Sequence, residues 1–269
     1  MNKLSIVILT IALSFTLSAC SEGAEYKVGA SPTPHAEILR QAQKYIEDDY
    51  QFEIIEFSDY ILPNTALYEG DLDANFFQHL PYLEAQINEH DYDFESVGGI
   101  HIEPIGLYSK LYDNLDELPN TLEIIVSNSP SDRPRLLGVL EDAKLIDVND
   151  DATNEAITEA NIRDLDQFFT SDYSIDFVEV DPTQLYTNYA NESGDLILIN
   201  GNFALDHGLV PLTDALALEN TDSPYVNVLV TKRDNVDDAF IKALYEVLLS
   251  DEIASWIENE YQGSVILDE

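Results

Sequence analysis

Behind Ser31-Pro-Thr-Pro, the apolar residues Ile38, Leu39, Ala42, Tyr45 and Ile46 recur at three- and four-residue intervals, which places them on one face of a helix. Pro34 suits the first position of that helix. Short apolar runs bounded by polar turns predict strands at 25–28, 53–57, 71–76, 122–126, 175–180, 196–199 and 225–231. The stretch 100–108 reads as extended, broken by Pro104 and Gly106. Helices are predicted around 82–87, through Leu136, Leu137 and Leu140, and after Asp181-Pro182. Two more close the chain, at 236–249 and 253–261, with Ser250 as the N-cap between them. Strands alternating with helices predict an α/β fold with mainly parallel sheets. In open sheets of that kind, ligands bind beyond the carboxyl ends of the strands.

The amino terminus has a pattern of its own. Lys3 precedes the apolar run LSIVILTIALSF, which is too short to span a bilayer and fits the core of a signal peptide. It ends in Leu17-Ser18-Ala19-Cys20. Small residues before a cysteine at this place resemble the lipobox of bacterial lipoproteins, which implies cleavage after residue 19 and a thioether-linked lipid on Cys20. The plainer alternative is a secretory signal with an incidental cysteine. Residues 1–19 are thus expected to be the signal peptide and 20–24 a lipidated tether, with the remainder outside the cytoplasm on the cell membrane. No later stretch is apolar enough to span a bilayer.

Composition narrows what the body can do. The chain has 269 residues, with Lys+Arg 12 against Asp+Glu 52, a formal net charge of -40. Such a chain repels phosphate backbones, so no nucleic-acid partner is expected. It also repels anionic lipid surfaces, which leaves the lipid on Cys20 as the membrane attachment. The single cysteine excludes an intrachain disulfide and a multi-cysteine metal site. The excess of acid is expected to be a salt adaptation, because so few cations cannot offset the repulsion.

The predicted strand ends gather aromatics, amides and one arginine. Ser58-Asp59-Tyr60 follows one strand, and Asn75-Phe76-Phe77-Gln78-His79 with Pro81-Tyr82 follows another. Asn128, Ser131, Asp132 and then Arg135 follow the strand at 122–126. Asn200-Gly201-Asn202 follows 196–199, and Asn227 lies in the last strand. An arginine in the first turn of a helix suits a carboxylate, amide oxygens suit an ammonium, and aromatics suit an apolar or thioether side chain. Together they suit an amino-acid zwitterion. Each residue also has a plainer role open to it. Tyr60, Phe77 and Tyr82 fit a core; Arg135 fits a surface helix, paired with Asp132 or Glu141; Asn200 and Asn202 fit a turn and cap; His79 fits a satisfied core histidine.

The strings PHAEIL (34–39), EFSDY (56–60), GDLDANFFQHLPYLE (70–84), HIEPIGLYSK (101–110), INGNFAL (199–205) and DSPYVNV (222–228) resemble the NlpA family of methionine-binding lipoproteins, in order along the whole mature chain. The resemblance implies a type II periplasmic-binding-protein fold, in which two α/β lobes are joined by two crossover strands with a ligand cleft between them. Lobe 1 would comprise 25–107 with 226–269, and lobe 2 would comprise 108–225. It implies a receptor for L-methionine that delivers to the permease and ATPase of an ABC importer and acts as a monomer. No cofactor, metal or catalysis is implied. The family's site motifs fall on Tyr60, Phe77, His79 and Tyr82 from the first lobe. From the second they fall on Arg135 for the carboxylate and Asn202 near the ammonium, with Asn227 at the return crossover. One segment departs: the family reads Asn-Asp-Pro-Thr-Asn before the arginine, and this chain reads Asn128-Ser129-Pro130-Ser131-Asp132, then Arg133 and Pro134. The stretch 147–174 also matches poorly and is longer. Asp132 either orients Arg135 or faces the ligand ammonium. Family members also take other forms of methionine or methionine-containing dipeptides, which remain open, as does another small amino acid.

Other classes fit less well. The chain has no GxSxG, Walker A, GxGxxG or HExxH string, and the mature part has no thiol, so an enzyme is not expected. The histidines at 35, 79, 90, 101 and 207 have no close metal spacing. Asp147-x-Asn149-x-Asp151 begins like a calcium loop, but Ala152 and Thr158 stand where such a loop needs Gly and Glu. It is expected to be a solvated acidic loop. A surface-interaction lipoprotein without a small-molecule ligand would have no need of an arginine and three asparagines at strand ends.

Overall fold

The computed structural model describes residues 26–220 and 223–268; the leader, Cys20 and the tether lie outside the described residues. In chain order the described strands are β1 (Tyr26–Ala30), β2 (Phe52–Glu56), β3 (Ala74–His79), β4 (Phe94–Ile102), β5 (Gly106–Tyr108), β6 (Thr121–Ser127), β7 (Asp147–Val148), β8 (Phe169–Thr170), β9 (Ser174–Val180), β10 (Leu196–Ile199), β11 (Ala217–Leu218), β12 (Val226–Lys232) and β13 (Ile266–Leu267). They form a six-stranded sheet in the order β13-β4-β12-β3-β1-β2 and a five-stranded sheet in the order β11-β5-β10-β6-β9, with β7 and β8 paired apart.

The period-3.6 and period-2 patterns account for most of this. Ile38, Leu39, Ala42 and Ile46 are buried on the helix Glu37–Ile46, against a core that includes Val28, Phe76 and Phe240. Ser250 caps the helix Asp251–Tyr261 by accepting from the Ile253 amide at 3.4 Å. The helix begins at Glu37, later than Pro34 suggested, because Thr33 is extended at φ -125, ψ 135. A residue before proline avoids the α region. The hydrophobic pattern does not predict the helix Leu62–Glu69; its stop is Gly70, whose φ of 86 closes the last turn onto the Ala66 and Leu67 carbonyls.

The sheets are mixed, which differs from the mainly parallel arrangement expected from the strand–helix alternation. β1–β2, β1–β3, β6–β9 and β6–β10 are parallel. β12 runs antiparallel to both β3 and β4, and β5 antiparallel to β10. The antiparallel strands are those next to the passages between the sheets. The chain leaves β4 at Ile102 and enters β5 at Gly106, and it returns from β11 at Leu218 to β12 at Val226. These two passages touch. The Glu219 amide donates to the Ile105 carbonyl at 2.9 Å, and the Ile105 amide donates to Glu219 Oε2 at 3.1 Å. Each sheet has its own core, built around Phe76 and Leu229 in one and around Leu122 and Leu198 in the other.

Arg133 staples the unusual segment. Its Nη1 donates to the Thr158 carbonyl at 2.9 Å and the Ala160 carbonyl at 2.6 Å, while Nη2 meets Glu179 at 2.9 Å. Asp147 and Asp151 are exposed, as a solvated acidic loop requires.

Exposed ion pairs include Arg233 with Asp93 and Glu95, and Lys242 with Asp237. Such pairs contribute little individually, about 0–1 kcal/mol. With a net charge of -40, the melting temperature is expected to rise as NaCl is increased from low concentration to about 1 M, where the screening length is roughly 3 Å. A calorimetric melt series checks this; a flat or falling midpoint would refute the salt adaptation.

Candidate ligand-binding site

One cavity lies where the two sheets face each other, and Tyr60, Phe77, His79, Tyr82, Arg135, Asn202 and Asn227 all line it. The residues come from distant parts of the chain and from both sheets.

β3 delivers Phe77 and His79 from a strand flanked by β1 and β12. His79 closes the strand and caps the helix Leu80–His90: its Nδ1 accepts from the Tyr82 amide at 3.1 Å. A lone pair on Nδ1 leaves the proton of the neutral ring on Nε2. That nitrogen lies 3.3 Å from Asp132 Oδ1, across the gap between the sheets. The Tyr82 hydroxyl donates to the Tyr60 carbonyl at 3.0 Å, and the Tyr60 hydroxyl donates to Asn202 Oδ1 at 2.6 Å. Asp59 Oδ1 accepts the Ile61 and Leu62 amides, both at 2.8 Å, and so fixes the turn that presents Tyr60. The Tyr60 ring lies 6.1 Å from Tyr82, 6.3 Å from Phe77 and 5.1 Å from Phe203. These rings form an aromatic wall. Burial, with Asp132 and Glu103 nearby, pushes the Tyr60 phenol well above its ordinary value, so it stays a donor.

Arg135 lies near the start of the helix Arg133–Asp142 and is buried. The side-chain fork expected for a ligand carboxylate is largely engaged within the protein. Nε donates to both Glu219 oxygens at 3.1 Å, Nη2 pairs with Glu219 Oε2, and Nη2 also donates to the Glu103 carbonyl at 3.0 Å. Nη1 lies 3.8 Å from Asp132 Oδ1. The guanidinium also lies over the Tyr225 ring, 4.5 Å from its centroid. A buried cation needs such partners, since desolvation without them is costly. Glu219 is in turn held by Ser223 at 3.0 Å. Arg135 therefore ties the helix to both passages between the sheets.

Asp132, the departure from the family pattern, is 1% exposed and lines the cavity. Burial works to raise its pKa, but His79, Arg135 and Asn200 outweigh that and hold its carboxyl below the ordinary value. Asn200 Nδ2 donates to its Oδ2 at 3.1 Å. Gly201, next in the chain, admits the crossing backbone: a Cβ there would lie 2.8 Å from Glu103 Cβ and 3.1 Å from the Pro104 carbonyl.

Glu103, Gln78, Ser129, Asn200 and Gly201 complete the lining. Asn200 and Gly201 stood at a predicted strand end. Glu103 had no signal of its own, as one acid among 52 Asp and Glu. Its Oε1 meets His101 Nε2 at 2.6 Å and His35 Nε2 at 3.1 Å. His35 Nε2 also lies 3.1 Å from Asn227 Oδ1, and its Nδ1 lies 2.6 Å from Ser31 Oγ. Burial pulls the His35 pKa down to about 4, with His101 adding and Glu103 opposing; burial pulls His101 down to about 3. Both rings are thus neutral at pH 7. Burial raises the Glu103 carboxyl against the pull of His35, Arg135 and His79. Among the described residues this trio is the one group of His, Cys, Asp or Glu close enough to share a metal ion. Linear spacing hid it, because the fold brings residues 35 and 101 together. Glu103 Oε1 is the atom that both rings share.

A sequence profile described as NlpA lipoprotein matches residues 26–267. The methionine-binding lipoprotein MetQ of Bacillus subtilis (strain 168) is 37% identical, over 99% of this chain and 98% of its own length. Among solved structures, a pheromone cOB1 precursor/lipoprotein of the YaeC family from Enterococcus faecalis V583 is 42% identical with a TM-score of 0.84, covering 90% of this chain and 99% of that one. A nutrient binding protein from Burkholderia cenocepacia, solved bound to methionine, is 33% identical with a TM-score of 0.82, covering 91% and 100%.

Proposed function

This chain belongs to the NlpA lipoprotein family, and we propose that it is a substrate-binding lipoprotein that captures L-methionine or a close relative and delivers it to the permease and ATPase of an ABC importer. One observation carries the reading. The cavity brings an aromatic wall, a buried arginine and three asparagines together from both sheets. The wall of Tyr60, Phe77 and Tyr82 suits a polarizable thioether. The bonds from Arg135 to Glu219 and Glu103 use Nε and Nη2, so Nη1 is the atom that would meet a ligand carboxylate. Asn202 and Asn227 supply amide groups on the remaining sides. Relatives named for methionine support this substrate class. Family members are substrate-binding proteins, and this chain is likewise proposed to bind without turnover.

The proposed lobes are one sheet each, hinged at the two passages that Ile105 and Glu219 join. The contacts His79–Asp132 and Tyr60–Asn202 cross between them. Binding groups divided in this way favour closure around a ligand. Calorimetry on ligand-stripped protein with L-methionine and with Gly-Met is expected to give a binding isotherm for at least one. If neither binds, the ligand assignment fails.

No helix among the described residues is long and apolar enough to cross a membrane. Attachment is assigned to the lipid on Cys20, which the family's lipoprotein character supports. Cys20→Ala is expected to abolish metabolic labelling by a fatty acid and to free the protein from the membrane fraction. Labelling that persists in the variant would refute the anchor.

A further inference from the structure

We propose that His35 is a positioning residue for the ligand site: from behind the cavity it shares one imidazole N–H between Glu103 and Asn227, and so holds in place what the two passages bring to the lining. The proposal rests on reading the cavity as a methionine site and adds a residue that acts on the ligand through two others.

The geometry converges on one nitrogen. His35 is 1% exposed and stands behind the residues that line the cavity. Its Nε2 lies 3.1 Å from Glu103 Oε1 and 3.1 Å from Asn227 Oδ1, and both of those residues are in the lining. Glu103 stands in the passage from β4 to β5. Asn227 is the second residue of β12, where the return passage has just ended. A single atom of the amino-terminal segment therefore fastens both connections between the sheets. The ring itself is held by Ser31 Oγ, 2.6 Å from Nδ1, and by the edge-to-face contact with Phe76 at 4.7 Å.

The position of the proton follows from the neighbours. Glu103 Oε1 faces Nε2 of His35 and, at 2.6 Å, Nε2 of His101. A carboxylate oxygen that meets two rings is an acceptor from both, so each neutral ring carries its proton on Nε2 and a lone pair on Nδ1. In His35 that lone pair receives the Ser31 hydroxyl. In His101, Nδ1 is buried without a partner among the described residues. His35 is thus engaged at both nitrogens and reaches both passages, whereas His101 reaches Glu103 alone. The donor on His35 also orients Asn227. Only the oxygen end of an amide can face an N–H, which leaves the amide nitrogen of Asn227 as the end for the cavity. Without that donor the amide is free to turn over. Binding groups need such support to keep their productive geometry.

The test compares two uncharged substitutions. In His35→Gln the amide nitrogen takes the place of Nε2 and keeps the donor. In His35→Asn the side chain is one carbon shorter and does not reach Glu103 or Asn227. Both remove the ring and its titration, so a purely structural role affects them alike. Calorimetry with L-methionine on ligand-stripped protein is expected to place His35→Gln within about threefold of wild type and His35→Asn about tenfold or more below it, the scale of one buried hydrogen bond. Asn227→Ala is expected to weaken binding in the wild type and in His35→Gln, and to add less than about threefold in His35→Asn, because effects that pass through one contact do not add. Thermal melts check that each variant folds. Affinities of the two His35 variants within about threefold of each other would overturn the proposal. Full additivity with Asn227→Ala would overturn it as well. Should His35→Asn not fold, the wild type still decides: a ¹⁵N histidine spectrum is expected to show the His35 proton on Nε2, and a proton on Nδ1 would overturn the proposal. If neither L-methionine nor Gly-Met binds the wild type, the methionine reading fails, and the tautomer alone then counts for or against His35.

Discussion

Arg135→Ala is expected to abolish detectable binding of L-methionine and to destabilise the protein by about 3–5 kcal/mol, the range for removing one partner of a buried ion pair. The loss extends beyond a missing ligand contact. Glu219 would be left buried at 8% exposure with Ser223 and the Ile105 amide as its neutral donors. Asp132, at 1% exposure, would lose its nearest cation. The Glu103 carbonyl would lose its donor, and with it the tie between the helix and the first passage. Arg135→Lys is expected to fall well short of wild type, because one ammonium cannot reproduce the planar fork that meets both Glu219 oxygens and the Glu103 carbonyl. Urea melts read the stability and calorimetry reads the binding. Arg135→Met combined with Glu219→Gln separates the two effects: it is expected to recover much of the stability, since no buried carboxylate is left unpaired there, while binding stays lost. An Arg135→Ala protein that melts and binds like wild type would remove the arginine from the site altogether.

Acidification from pH 7 to pH 4 is expected to cost the fold a few kcal/mol through His35 and His101. Their folded pKa values, about 4 and about 3, lie below the ordinary 6.5 because burial disfavours the imidazolium. Between those values and 6.5 the unfolded chain therefore binds more protons than the folded one. Stability then rises with pH across this window and falls as the solution is acidified. At roughly 1.4 kcal/mol per pKa unit, His35 alone accounts for about 3 kcal/mol by the bottom of its window. Glu103 works the other way: its pKa is raised by burial, so the folded state takes up its proton more readily and recovers part of the loss. The groups around the pair are Ser31, Asn227 and Phe76, none of which titrates here. Urea midpoints from pH 7 to pH 4 should be measured in about 1 M NaCl, where the surface charge is screened. The double substitution His35→Asn and His101→Asn is expected to flatten the slope between pH 6.5 and 4. A wild-type midpoint that does not move between pH 7 and pH 5 would sink the assignment of two neutral buried histidines.

The sequence by itself determined the local elements and the neighbourhood of the site. The helix Glu37–Ile46 buries the face that its spacing marked, and Ser250 caps the helix its position marked. Both follow from interactions within a few residues, which a pattern of hydrophobic spacing and capping chemistry records directly. The rule that ligands gather at strand ends marked a longer set of aromatics, amides and one arginine; the resemblance to the NlpA family narrowed it to Tyr60, Phe77, His79, Tyr82, Arg135, Asn202 and Asn227, and all seven line one cavity. Their linear order carried enough information because each stands just past, or within, a strand that the sequence made legible. Tertiary structure decided what each group is free to do. Arg135 gives most of its fork to Glu219, 84 residues away, and His35 meets Asn227 across 192 residues. The mixed direction of the sheets, the pairing of the two passages at Ile105 and Glu219, and the convergence of His35, His101 and Glu103 are likewise long-range. Charge pairing and desolvation depend on distance in space, so in a chain where acids are everywhere, only the fold could single out Asp132 and Glu103 as the two that face the cavity.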